Sequence, residues 1–169
     1  MTSIWTTYPS LTDDAIAEAH SLIGVELRRP RPRKSIATKD AIIEYSRHIG
    51  SRNPLYIQET YASGTYLGGL IAHPTWLFCV DDTILHPKLP GIHSIYAGIS
   101  WEWFHPIRIG DSFTATARIT GVEEKFGRFC GRMILQTGEV IYRNQYGKIV
   151  AKAQPRVLRT PRNEARQNA

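Results

Sequence analysis

The chain has 169 residues, of which 42% are apolar, with a formal net charge of +6 and a pI near 9.5. That length supports one good core and excludes two ordinary domains. No apolar run approaches the ~18 residues that a membrane-crossing helix requires, no basic and then apolar leader opens the chain, and Cys79 and Cys130 lack the paired spacing of a disulfide or zinc framework. A soluble, cytoplasmic protein without a metal is therefore expected.

The positive charge implies attraction to anions: nucleic acid, a membrane surface or a phosphate-bearing ligand. Much of it lies in Arg28–Lys34 and in the segment from Arg156 to Arg166, and such runs are most simply solvated loops and tails. The expected organisation is a single domain over residues 1–169, with its core at about 22–160 and a basic tail at 161–169.

In chain order, Ser10 to Ile23 predicts a helix. Ser10 or Thr12 caps it, Asp13 and Asp14 favour its positive end, and Ile16, Ala19, Leu22 and Ile23 form one stripe before Gly24. Val25 to Leu27 is at most a short strand, and the Arg/Pro run that follows is a loop because each proline fixes φ and extends its predecessor. Thr38 then offers an N-cap for a second helix, with Ala41, Ile42, Tyr45 and Ile49 on its apolar side and Gly50 at its end. Tyr56 to Ala62 allows one or two turns between the breaks at Asn53-Pro54 and Ser63-Gly64.

Pro74 suits the first position of a helix, where its missing N–H costs nothing. Trp76, Leu77, Phe78, Cys79 and Val80 make that helix apolar almost all round, so burial inside a sheet is expected. From His93 the period becomes two: Ile95 to Trp103 and Phe113 to Ile119 alternate cleanly, Phe129 to Tyr142 follows with a bulge expected at Gly138, and Asn144 to Gly147 turns into a fourth strand over Ile149 to Leu158. Helices first and antiparallel strands afterwards predict an α+β fold. Trp101 and Trp103 share the apolar stripe with Ile95, Ala97 and Ile99, which favours core packing over base stacking, so nucleic acid is not expected as a partner.

Three motifs carry a family resemblance. Tyr45 to Tyr56 resembles the hydratase signature of the MaoC-like (R)-specific enoyl-CoA hydratases and dehydratases, an aromatic residue followed by Gly-Asp-x-Asn-Pro-aliphatic-His; Gly50, Asn53, Pro54 and Leu55 match it. Ile71-Ala72-His73-Pro74-Thr75-Trp76 resembles the start of the central helix in related dehydratase subunits of fatty-acid type. Ala97 to Asp111 is similar to the strand, turn and strand that follow. The resemblance implies a hot-dog fold, a curled antiparallel sheet around a central apolar helix, and lyase chemistry on an acyl thioester without a cofactor.

The departures from the family pattern define the candidate site. The signature's Asp and His form the catalytic pair that holds water for addition at C3 of a trans-2-enoyl thioester; Ser51 and Tyr56 occupy those positions. Serine holds no negative charge at neutral pH, and a tyrosine with a pKa near ~10 is a poor base. Pro74 stands near a family glycine whose N–H would meet the thioester carbonyl; the Thr75 N–H or hydroxyl, or a neighbouring amide, is the expected substitute. His73 is the first replacement for the imidazole and His93 the second, each with a bland alternative as a hydrogen-bonded structural residue. Tyr45, Tyr56, Asn53, Pro54, Thr75 and Trp76 are expected to orient substrate or shape the cleft, and Asp81 and Asp82 to be solvated at a helix end.

The resemblance thus predicts dehydration of a 3-hydroxyacyl thioester or hydration of a trans-2-enoyl one, carried on coenzyme A or an acyl carrier protein, in a side-by-side homodimer or heterodimer. One alternative is a non-catalytic acyl-binding subunit beside a second hot-dog chain that supplies Asp and His. The other is different thioester chemistry, such as thioester hydrolysis.

Overall fold

The computed structural model describes residues 11–161 except 28, 30, 31, 33, 86–91, 129 and 130. Ser10, Phe129, Cys130, most of the basic run and the tail from 162 lie outside the described residues. Helix α1 spans Asp13–Ser21, and the Thr12 hydroxyl accepts the Ala15 N–H at 3.3 Å. Strand β1 is Glu26–Leu27. Helix α2 spans Lys39–His48, capped by Thr38, with Gly50 in the left-handed region at φ 74° just beyond it. Short helices α3 (Pro54–Ile57) and α4 (Glu59–Ser63) follow.

Four long strands make the rest: β2 (His93–Trp103), β3 (Phe113–Gly127), β4 (Gly131–Asn144) and β5 (Ile149–Thr160). The sheet order is β1-β3-β4-β5-β2, antiparallel in every pair, with bulges at Tyr96/Gly98 and Ile119/Gly121. Period-two alternation predicted these strands, and Ile134, Val140 and Tyr142 on β4 are buried as that alternation requires. The bulge expected at Gly138 falls across from it, on β3, where Thr120 is the extra residue between Ile119, paired with Gly138, and Gly121, paired with Thr137; at Gly138 itself a Cβ would meet Leu85 at 2.6 Å. Strand β2 ends the sheet, and its outer edge pairs with no strand among the described residues.

The curled sheet closes on the segment expected as the central helix. Trp76 and Leu77 are fully buried in one core with Ile119, Val140, Tyr142, Val150 and Val157. The segment is a six-residue 3-10 helix, Pro74–Cys79, rather than a long α-helix. What stops it follows directly: the Asp81 carboxylate accepts the Thr83 N–H at 2.8 Å, the Asp82 carboxylate accepts the Ile84 N–H at 3.0 Å, and Thr83 adopts φ 60°. These local side-chain bonds give the backbone an alternative to the helical ladder.

Asp81 is buried and gripped by Arg29, whose Nε donates to it at 2.6 Å and whose Nη1 donates to the Ile84 carbonyl at 3.0 Å. The expectation of a solvated carboxylate at Asp81 is thereby corrected, as is that of a solvated arginine at position 29. Tyr142 adds a hydrogen bond to the Asp81 carbonyl at 3.1 Å. Helix α1 covers the far end of the sheet with a smaller cluster of Leu11, Ala15, Ile16 and Ala19 against Ile92 and Ile134.

Candidate functional site

The candidate site lies where α2 and α3 meet the start of the 3-10 helix. Residues 71–72 run antiparallel beside 107–108: Ile71 bridges Arg108, and the Ala72 N–H donates to the Ile107 carbonyl at 2.9 Å. The next residues turn inward at Pro74. His73 is the N-cap of the 3-10 helix, and its Nδ1 accepts the Thr75 N–H at 3.2 Å while lying 2.7 Å from the Thr75 hydroxyl. Tyr45 on α2 donates its hydroxyl to the Thr75 carbonyl at 2.8 Å and lies 3.1 Å from Thr75 Oγ1. The Tyr56 ring on α3 meets the His73 imidazole edge-on, centroids 5.1 Å apart at 77°.

Burial pushes the His73 pKa below its ordinary value, so the ring is neutral at pH 7. Burial raises the Tyr45 pKa, against the opposing pull of its Thr75 hydrogen bond, and keeps that phenol protonated. Asn53 and Pro54 build the turn: Asn53 Oδ1 accepts the Leu55 N–H at 3.0 Å and Pro54 takes the first position of α3. Ser51 is tied back to the end of α2 by its N–H, which donates to the Ser46 carbonyl at 2.9 Å. Its hydroxyl has only a long contact, 3.5 Å, from the Asn53 N–H.

The structure therefore gathers Tyr45, Tyr56, His73 and Thr75 into one network beside the Ser51–Pro54 turn. Two expected members stand apart. Trp76 is fully buried and packs against Phe113 with centroids 5.9 Å apart, so it offers no surface to a substrate and is a core residue. His93 opens β2 opposite Thr160, whereas the His73 turn abuts residues just beyond Trp103 at the strand's other end. The length of β2, eleven residues, lies between the two ends.

Sequence reasoning singled out neither His105 nor the groove it lines. An open cavity of about 220 Å³ runs between Ala72, Pro74 and Ile107 on one side and Trp103, Phe104 and His105 on the other. Trp103 is stacked on Trp101 at 5.4 Å yet stays 45% exposed at the edge of the sheet. The signal for the groove was present in the aromatic pair before His105-Pro106, but its pairing with residues 71–74 is a long-range contact. Among the described residues no group of three or more His, Cys, Asp or Glu is placed to hold a metal ion, and no helix is long and apolar enough to cross a membrane.

A family model described as the FAS1-like dehydratase domain region matches residues 21–153. The (R)-specific enoyl-CoA hydratase of Rhodospirillum rubrum is 38% identical over 79 residues, 46% of this chain and 55% of that protein. The chain thus spans about half the length of the curated relatives it matches. Among solved structures, the ChsH1–ChsH2 complex of Mycobacterium tuberculosis superposes with a TM-score of 0.67 at 17% identity, covering 86% of this chain and 93% of the other. The C-terminally truncated HadBC (3R)-hydroxyacyl-ACP dehydratase complex of the same organism gives 0.61 at 20% identity, covering 81% and 96%. The likeness to these structures is one of fold, the hot-dog architecture that the motifs imply.

Proposed function

The chain belongs to the family of FAS1-like dehydratase regions, within the MaoC-like hot-dog dehydratases, and from that premise we propose that it takes part in reversible hydration of trans-2-enoyl-CoA to 3-hydroxyacyl-CoA. In this reading it is the thioester-holding half of a pair of hot-dog chains, and the second chain supplies the water-activating carboxylate and imidazole. The observation that carries it is the content of the signature turn. Ser51 and Tyr56 stand where the ionisable pair belongs, no carboxylate contacts His73 among the described residues, and His73 Nδ1 is occupied by Thr75.

Hydration needs a base to take a proton from water while the hydroxyl adds to C3, and an acid to return a proton at C2. The negative charge that develops in between lies on the thioester oxygen. The half-buried network around Thr75 and the adjoining apolar groove suit the positioning of such a group. They do not suit proton removal from water. Support for a two-chain arrangement comes from the outer edge of β2, which pairs with no strand among the described residues, and from two neighbours that were solved as complexes. Support for a coenzyme A handle comes from the name of the matched hydratase and from the positive net charge.

The test follows loss of the conjugated enoyl absorbance of trans-2-butenoyl-CoA and trans-2-decenoyl-CoA. The expected result is thioester binding without turnover by this chain alone, and turnover after co-expression with a hot-dog chain carrying the intact Asp/His signature. Efficient turnover by the lone chain would overturn the two-chain reading, and absence of binding in both arrangements would overturn the substrate class.

A further inference from the structure

One directed hydrogen bond at His73 favours a particular tautomer. A backbone N–H is only a donor, so the Thr75 N–H at 3.2 Å requires a lone pair on His73 Nδ1. The Thr75 hydroxyl at 2.7 Å then turns its proton to the same nitrogen, and its oxygen lies 3.1 Å from the Tyr45 hydroxyl, whose single proton goes to the Thr75 carbonyl at 2.8 Å. With Nδ1 a pure acceptor, a neutral ring carries its proton on Nε2. Nε2 has no hydrogen-bond partner among the described residues, and His73 is half-buried against the Tyr56 ring, between the groove-lining residues Ala72 and Pro74. Adding a second proton at Nδ1 would set two donors against a third, and burial opposes the charge as well.

The ionisable groups against the ring are Tyr45 from α2 and Tyr56 from α3. On the segment paired with residues 71–72 stand Arg108, whose Nη1 donates to the Leu67 carbonyl at 2.6 Å, and His105 in the groove. No carboxylate among the described residues forms an ion pair with the ring that would stabilise an imidazolium. The ring is thus built as a neutral donor and is unsuited to act as a base.

The amides at 72 and 74–76 offer no donor to a thioester. Pro74 has no N–H, the Thr75 N–H is spent on His73, the Ala72 N–H on the Ile107 carbonyl at 2.9 Å, and the Trp76 N–H on the His73 carbonyl at 2.8 Å. The expected substitution by the Thr75 N–H is therefore ruled out by its own hydrogen bond. We propose that His73 presents Nε2–H to the thioester carbonyl oxygen, in place of the missing amide at position 74, with Thr75 and Tyr45 as positioning residues that lock the ring. This rests on the thioester-holding reading above. It assigns His73 the stabilisation of charge on that oxygen and leaves every proton transfer to other groups.

The test uses butyryl-CoA labelled with carbon-13 at the carbonyl, a saturated thioester that cannot be hydrated, with the full chain. On binding to the wild type the carbonyl resonance is expected to move downfield. His73→Gln, which keeps an N–H of similar reach, retains part of the displacement; His73→Leu loses it and binds about fivefold more weakly, one neutral hydrogen bond. Histidine nitrogen NMR on the unliganded chain is expected to show the Nε2–H tautomer, titrating below the ordinary 6.5, with the midpoint rising in Thr75→Val.

A carbonyl resonance unmoved in a wild type that binds overturns the donor role and leaves the thioester-holding reading standing. Failure of the wild type to bind overturns both. An Nδ1–H tautomer overturns the proposal whatever the ligand does.

Discussion

Arg29 and Asp81, 52 residues apart, meet inside the curled sheet as a two-pronged ion pair, with the side chains 11% and 1% exposed. Such a pair adds little net stability over apolar packing, but removing one partner strands a buried charge at a cost of about 3–5 kcal/mol. Arg29→Ala is therefore expected to lower unfolding free energy by about that amount, read from urea or guanidinium titration. A loss under ~0.5 kcal/mol, the size of an ordinary surface substitution, would show that the pair is not closed in solution.

Thr83 sits at φ 60° with its side chain fully buried, a backbone region that costs an L-residue with a Cβ about 1–2 kcal/mol. Thr83→Gly and Thr83→Ala both lose the contact between the Thr83 and Tyr96 hydroxyls at 2.9 Å, so that loss cancels in their comparison. The glycine variant is expected to be the more stable by about 1 kcal/mol, and equal melting temperatures would contradict the left-handed turn.

Tyr142 is buried, and burial first, then the neighbouring Asp81, pushes its pKa well above the ordinary 10.0. The neutral phenol is favoured in the folded state, so its contribution is complete below the unfolded value and is lost as pH climbs past about 10 toward the folded value. Stability measured from pH 9 to 11 should fall in the wild type and fall less steeply in Tyr142→Phe. At pH 7 the same variant is expected to cost about 1 kcal/mol for the bond to the Asp81 carbonyl.

Ser51→Asp combined with Tyr56→His restores the two missing signature groups on the turn that Asn53 and Pro54 already shape. The double variant alone is expected to hydrate trans-2-butenoyl-CoA measurably, and each single variant not to, because water activation needs both groups. Activity in Ser51→Asp alone would point to His73 as the second group and would conflict with its Nδ1 being occupied.

Much of this architecture is local in origin and so was legible in the sequence. Thr12 and Thr38 cap the helices they were expected to cap, and the alternation in β4 and β5 places Tyr142, Val150 and Val157 inward, whereas on β2 the expected core stripe leaves Ile95 and Trp103 exposed. The 3-10 helix was less legible, because an apolar run records burial and not pitch. What ended it was the pair of carboxylates at 81 and 82, which bond to amides two residues on. The Arg29 clamp is invisible to any local pattern, and a basic run rich in proline gives no sign that one of its arginines turns inward. At the site, Trp76 followed the motif into the substrate set although its zero exposure places it in the core. The role of His73 depends on a hydroxyl two residues away whose position only the turn at Pro74 determines.

The outer edge of β2, unpaired among the described residues, and the groove share a residue, since Trp103 closes the strand and walls the cavity. Whatever pairs along that edge therefore touches the rim of the groove and changes how readily it fills. By mass-action linkage the effect runs both ways. Apparent thioester affinity should then vary with protein concentration, and saturating thioester should shift the concentration at which chains associate.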